Sequence, residues 1–254
     1  MILAIDVGNT NIVLGCIDGG KIADVVRIHT DTRETEAEYT VKLKEILSAY
    51  GMDLTAVDGA ILSSVVPPVT EAIRRAIKQL TGNDCLVVGP GIKTGMNIRV
   101  DDPGTVAGDL IVGGVAAMQF YGAPAIVLDL GTATTTTVID ADGSFRGGAI
   151  MPGVKLSYAA LAAGTSLLPE ISITPPQNCI STNTVDCMRS GAVYGTAAMI
   201  DGLIDRMEAE LGMKCKVVAT GVLAFSVVSF CRHEIACDDD LLLKGLWYLY
   251  GKNK

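Results

Sequence analysis

A chain of 254 residues with 49% hydrophobic but only 5% aromatic content can build one large or two small domains around an aliphatic core, and disorder is excluded. A net charge of −8 excludes the backbone of nucleic acid as the main partner, yet local amides and a metal ion could still hold an anionic nucleotide. Seven cysteines without any C-x-x-C spacing indicate neither a zinc site nor a disulfide framework, and reduced cysteines fit a cytoplasmic protein.

In chain order, Ile2 to Ile5 and Ile12 to Leu14 read as two strands joined by a tight polar turn, and Lys21 to Ile28 as a third. Thr35 with Glu38 forms a capping box for a helix over Thr35 to Tyr50, striped by Leu43, Ile46 and Leu47. Ala60 to Val66 is a buried strand. Pro68 to Leu80 is a helix with Val69, Ile73 and Ile77 on one face, stopped by Gly82. Cys85 to Val88 is a short strand, and a helix from about Val106 to Tyr121 closes the first half.

The second half repeats this plan. Ala125 to Leu130, Thr134 to Ile139 and Phe145 to Ile150 are strands, the run of threonines at 134 to 137 favouring β structure. Val154 to Ala163 is helical, Gly164 to Asn183 is irregular, and Thr184 to Leu211 reads as one long helix. Cys215 to Thr220 is a strand and Asp239 to Tyr250 a last helix, so Asp238 to Asp240 read as capping and dipole compensation rather than as a metal cluster. Cys187 and Cys231 are assigned to buried filler. No signal peptide precedes the first strand, and the apolar stretch Val217 to Phe230 is too short to span a bilayer.

Two stretches carry chemistry. Asp6 ends the first apolar run and is followed by Gly8, Asn9, Thr10 and Asn11. The glycine allows close backbone approach, the polar residues supply donors, and the carboxylate can hold hydrated magnesium, although an ordinary hairpin would look the same. A second copy, Asp129 followed by Gly131, Thr132, Ala133 and Thr134, lies nearly half the chain further on. Two such motifs, each opening one half, suggest a duplicated domain with a nucleotide between the halves. Gly89 to Gly95 lacks the spacing of a phosphate-binding P-loop, no G-x-G-x-x-G follows the first strand, and neither His29 nor His233 has a partner motif. A carboxylate is therefore the natural general base.

Further landmarks are Ser63 to Pro67, Gly147 to Gly153, Ser190 to Gly195 and Lys244 to Leu246. With the two aspartate motifs and Gly89 to Gly95, in this order, they make the chain resemble the type III pantothenate kinases, in the superfamily of actin, hexokinase and the heat-shock chaperone ATPase. The resemblance implies an α/β fold of two ribonuclease H-like, actin-like ATPase domains, 1–121 and 122–254, with packing of the last helix back on the first domain left open. Each has a mixed sheet flanked by helices, with the nucleotide cleft between the two. It implies ATP-dependent phosphorylation of the primary hydroxyl of pantothenate, the first step to coenzyme A. Asp6, Val7, Gly8, Asn9, Thr10, Asn11, Ile12 and Val13, helped by Thr132, would hold ATP, with magnesium reached from Asp6 through water. Asp129 would bind potassium or ammonium, and Asp109 would be the general base. Val100, Ala107, Gly108, Asp109 and Leu110 would meet pantothenate, as would Thr184 from the partner of a homodimer with a shared substrate site. No nucleic-acid or membrane partner is implied. The interface is expected on the helix from Thr184, through Val193, Ala197, Ile200 and Ile204.

The departures from the family pattern fall on the acceptor side. Leu110 replaces an arginine suited to clamping a carboxylate, Val100 an aromatic, and Gly113 an asparagine. Thr136 and Thr137 replace a Phe-Asp pair, and Val222 a glycine near the nucleotide. Two alternatives stay open at this point: a kinase of the same scaffold for another small hydroxyl compound, and a non-catalytic nucleotide-binding regulator. Asp109 itself, without the resemblance, reads as a helix cap.

Overall fold

The computed structural model describes all 254 residues, which form two compact units. The first unit comprises Met1–Asn97, Asp101–Ala116 and Asp240–Lys254, and the second Ile98–Val100 and Ala117–Asp239.

The chain opens with an antiparallel meander, β1 (Ile2–Val7), β2 (Asn11–Asp18) and β3 (Lys21–His29). Helix α1 (Glu36–Ala49) follows its capping box: the Glu38 amide donates to the Thr35 hydroxyl, and the Thr35 amide donates to the Glu38 carboxylate at 2.7 Å. Strand β4 (Gly59–Ser64) returns parallel to β1, an arrangement that needs a crossover, here supplied by α1. Helix α2 (Pro67–Thr81) starts on prolines and stops at Gly82, whose φ of 75° is left-handed. Strand β5 (Cys85–Val87) completes a sheet of order β3-β2-β1-β4-β5. Side chains alternate across it. Leu3, Ile5, Val7 and Leu62 pack with Tyr39, Leu43, Leu47, Ile73 and Ile77 of α1 and α2. Asp6 and Ser63, of opposite parity, therefore face the other side.

Helix α3 (Gly108–Phe120) begins in the first unit and ends in the second. The second sheet is built from β6 (Ala125–Leu130), β7 (Ala133–Ile139) and β8 (Phe145–Pro152), again an antiparallel meander. Next come α4 (Val154–Ala163), α5 (Thr184–Ser190), one π-helical turn over Gly191–Gly195, and α6 (Thr196–Leu211). Strand β9 (Lys216–Thr220) pairs parallel to β6, and after α7 (Ala224–Val228) the short β10 (Ala236–Cys237) pairs parallel to β9. The order β8-β7-β6-β9-β10 matches the first sheet strand for strand. The last helix, α8 (Leu241–Asn253), packs on β1, β2 and β4 in the first unit, where the absent side chains of Gly15 and Gly59 make room for Leu243 and Tyr250. No helix is long and apolar enough to cross a membrane.

Four expectations need correction. The helix from Thr184 is not continuous, because the π-turn at Gly191–Gly195 interrupts it. Val193, Ala197, Ile200 and Ile204 are buried inside their own unit, so they are not the exposed edge expected of an interface. Exposed apolar side chains of this unit include Ile150 on β8, Leu156 and Leu161 on α4, and Leu167 and Ile180 on the irregular stretch, besides Phe120, Met213, Val222 and Phe225. Cys187 is exposed, whereas Cys231 is partly buried and its thiol is pushed up to about 12 by desolvation. Asp240 stands at the N-cap of α8 without a side-chain capping bond, and Asp238 accepts from the Tyr121 hydroxyl at 2.8 Å. α7 and β10, which have no strong periodic signal, went unread in the sequence.

Asp201 on α6 is nearly fully buried and ties the segment after α7 to the unit, accepting from the amides of Arg232 (2.9 Å) and His233 (3.1 Å). Burial alone would raise its pKa, but those amides and the Arg232 side chain hold it below the ordinary carboxylate value. Its folded pKa is thus depressed, so its contribution to stability is present above about pH 4 and is lost as the pH falls through the folded value. Urea unfolding at pH 7 should show Asp201→Ala destabilised by about 1–3 kcal/mol, because it removes the acceptor of two part-buried amides. The deficit should shrink as the pH is lowered below 4.

Candidate functional site

In the first unit the site is built on the hairpin between β1 and β2. Val7 pairs with Ile12, leaving Gly8 to Asn11 as the turn, closed by the Gly8 amide donating to the Asn11 carbonyl at 2.9 Å. Thr30, just beyond β3, pins this turn from the side: its hydroxyl donates to the Gly8 carbonyl at 2.7 Å and its amide to the Thr10 carbonyl at 3.0 Å. Asn9 and Thr10 are exposed at the tip, and Asp6 is half-buried at the carboxyl end of β1. Val7 and Ile12 are core residues, so only their backbone is available to a ligand.

Ser63 stands in register with Asp6 on the neighbouring parallel strand, so the two side chains share a face. The start of α3 lies over it, because a Cβ on Gly108 would come within 3.3 Å of the Ser63 hydroxyl. Ala107 opens that helix by accepting from the Ile111 amide, and the Asp109 carboxylate accepts from the Leu110 amide at 2.8 Å. The capping role is therefore real. Desolvation by burial nevertheless raises the Asp109 pKa above its ordinary value, against the pull of the helix amides. A half-buried carboxyl whose proton affinity is raised suits a general base. Leu110 follows on the same turn and brings no charge.

The second unit repeats the arrangement with different supports. Asp129, the last residue but one of β6, is in register with Thr135 and Thr220, and Gly131 and Thr132 form the turn, with the Gly131 amide donating to the Ala133 carbonyl at 3.0 Å. Two glycines make the close packing possible. Any side chain on Gly153 would overlap the Gly131 and Thr132 carbonyls, and its amide donates to Thr132 at 3.0 Å. A Cβ on Gly221 would stand 2.6 Å from the Asp129 carboxylate, where φ of 96° already demands glycine. Asp129 thus packs against the backbone of Leu130 and Gly221, and its carboxylate is a hard oxygen donor of the kind a small cation takes. Val100 packs near Gly147, and Thr184 is exposed at the first position of α5, behind the Asn183 cap.

The structure therefore gathers Asp6, the turn and Asp109 in one unit, and Asp129, Thr132, Val100 and Thr184 in the other. Thr30, Ser63 and Gly221 escaped notice as site residues. Thr30 and Gly221 act through backbone contacts that only the fold reveals, and Ser63 carried a signal only in its place within Ser63 to Pro67.

A profile of the type III pantothenate kinase family matches residues 2–206. A type III pantothenate kinase from Moorella thermoacetica is 43% identical over 257 residues, covering all of both chains. Among solved structures, an activator of 2-hydroxyisocaproyl-CoA dehydratase from Clostridium difficile with bound ADPNP superposes with a TM-score of 0.56. It is 14% identical and covers 98% of this chain and 93% of its own. A ROK family glucokinase from Streptomyces griseus, in complex with glucose and AMPPNP, gives 0.52 at 13% identity and 98% coverage of both. At such identity the likeness bears on fold alone, and the two matched five-stranded sheets are those of the actin-like ATPases. With both aspartate turns in place and the family pattern running through both units, the chain belongs to the type III pantothenate kinase family.

Proposed function

We propose that this protein transfers the γ-phosphoryl group of ATP to the primary hydroxyl of pantothenate, giving 4′-phosphopantothenate on the way to coenzyme A. The observation that carries the reading is the end-to-end likeness to type III pantothenate kinases. A primary hydroxyl is a weak nucleophile until its proton has somewhere to go. Asp109 takes that proton as the new O–P bond forms and the β–γ bridge bond breaks. ADP leaves with the bridging electron pair, and the proton remains on the carboxylate. The turn from Asp6 to Asn11, with Thr132, binds the phosphates through backbone amides and short polar side chains, which hold the reacting groups in line. Magnesium, reached from Asp6 through water, and potassium or ammonium on Asp129 would supply neutralising charge for the phosphates.

Val100, Ala107, Gly108 and Leu110 line the acceptor side of this reading, and the partner subunit of a homodimer supplies Thr184. The exposed apolar residues Ile150, Leu156, Leu161, Leu167 and Ile180 support such an interface on β8, α4 and the stretch that follows. The reduced cysteines support a cytoplasmic setting. Leu110 favours one second reading, a kinase of the same scaffold whose acceptor lacks a carboxylate.

Asp109→Asn keeps the shape and one acceptor oxygen but not the base. It should fold with near-normal thermal stability, bind ATP, and lose on the order of 10² to 10⁴ in kcat with pantothenate. In the wild type, kcat should fall on the acid side through a pKa above the ordinary carboxylate value, because only ionised Asp109 accepts a proton. That limb should vanish in the variant. Full activity in Asp109→Asn would remove this residue from the mechanism.

Light scattering at micromolar concentration should report a dimer for the wild type. Leu156→Asp, which places a charge in the exposed apolar surface, should shift it to monomer with the fold intact. A wild-type monomer would overturn the shared-site reading.

A further inference from the structure

The hydroxyl of Ser63 is fully buried and has no hydrogen-bond partner. It sits on the face of the first sheet that also carries Asp6, its register partner, and directly under the first residue of α3. Gly108 has no side chain to fill the space above it. A Cβ there would stand 3.3 Å from the hydroxyl oxygen and 3.4 Å from the Val88 carbonyl. A buried hydroxyl without a partner is costly, and a partner that arrives during function is one reason for a folded protein to keep it. Apolar neighbours would have accommodated alanine at this position without that cost.

The next residue after Gly108 is Asp109, whose carboxylate is held by the Leu110 amide through one oxygen. We propose that Ser63 is a positioning residue of the phosphoryl-transfer site, donating its hydroxyl hydrogen to the Asp109 carboxylate when ATP and the acceptor alcohol are bound. This rests on the kinase reading above. The hydrogen bond and the Leu110 amide together fix the plane of the carboxylate, leaving a lone pair turned toward the alcohol. Ser63 itself takes and gives no proton in the reaction.

Ser63→Ala tests this with readouts that a purely structural role would not produce. In the ligand-free protein the variant should melt at or slightly above the wild-type temperature, since an unsatisfied group has been removed. With pantothenate, magnesium and ATP, kcat should fall roughly 10- to 100-fold while KM for ATP stays within about twofold. The acid limb of kcat should move to higher pH, because a donor that stabilises the ionised carboxylate in the complex is gone. In an Asp109→Asn background the same substitution should have no further effect on kcat. An unchanged kcat and acid limb, or a loss of activity that merely follows a lowered melting temperature, would overturn the proposal. So would a raised KM for ATP with an unmoved acid limb, which would give the hydroxyl to Asp6. Wild-type protein is assayed alongside: if it does not turn over pantothenate, the functional reading fails and this inference with it. An active wild type with an indifferent Ser63→Ala defeats the inference alone.

Discussion

The pairing of one central strand in each sheet governs the rest of the molecule. β1 has an antiparallel neighbour, β2, on one side and a parallel neighbour, β4, on the other, and β6 is placed in the same way between β7 and β9. The antiparallel side forces a tight turn immediately beyond the strand's carboxyl end. The parallel side brings a second strand end to the same edge, and its continuation lies within reach of that turn. Asp6 and Asp129 occupy equivalent places on these strands, next to a turn and beside Ser63 or Thr220. A carboxylate at that point stands beside a turn on one side and a strand terminus on the other, a setting suited to a phosphate and its counter-ions.

The two copies are supported differently. In the first unit Thr30 fixes the turn, its hydroxyl donating to the Gly8 carbonyl and its amide to the Thr10 carbonyl. In the second unit the backbone does so, through Gly153 and Gly221, and neither position has space for a side chain. The first arrangement leaves exposed donors at Asn9 and Thr10. The second holds Asp129 tightly against the backbone at Gly221. The difference matches the division of labour proposed here, phosphates on the first turn and a monovalent cation on the second.

Much of this was legible in the residues. The capping box at Thr35, the stop at Gly82 and the run of threonines at 134 to 137 each state a local preference that the fold obeys. The duplicated aspartate turn announces two like sheets. What stayed hidden depends on tertiary contact. The stripe Val193, Ala197, Ile200 and Ile204 has the right period for an interface, and period alone cannot say whether a helix buries it on its own sheet. The π-turn at Gly191–Gly195 leaves no mark that separates it from an ordinary helix with two glycines. From its position alone the Asp109 carboxylate reads as a helix cap; in the structure it accepts from the Leu110 amide while burial raises its pKa, a combination no sequence pattern states.

The replacement of an arginine by Leu110 puts the greatest weight on the identity of the acceptor, because the account requires the pantothenate carboxylate to be recognised without that side chain. The most direct measurement is ADP release in the presence of magnesium and potassium, with pantothenate and pantetheine compared at matched concentrations. Pantetheine keeps the primary hydroxyl and lacks the carboxylate. Steady ADP release is expected with pantothenate, at a kcat/KM at least about tenfold above that with pantetheine. Equal rates with the two compounds, or no ADP release with pantothenate at millimolar concentration, would contradict it.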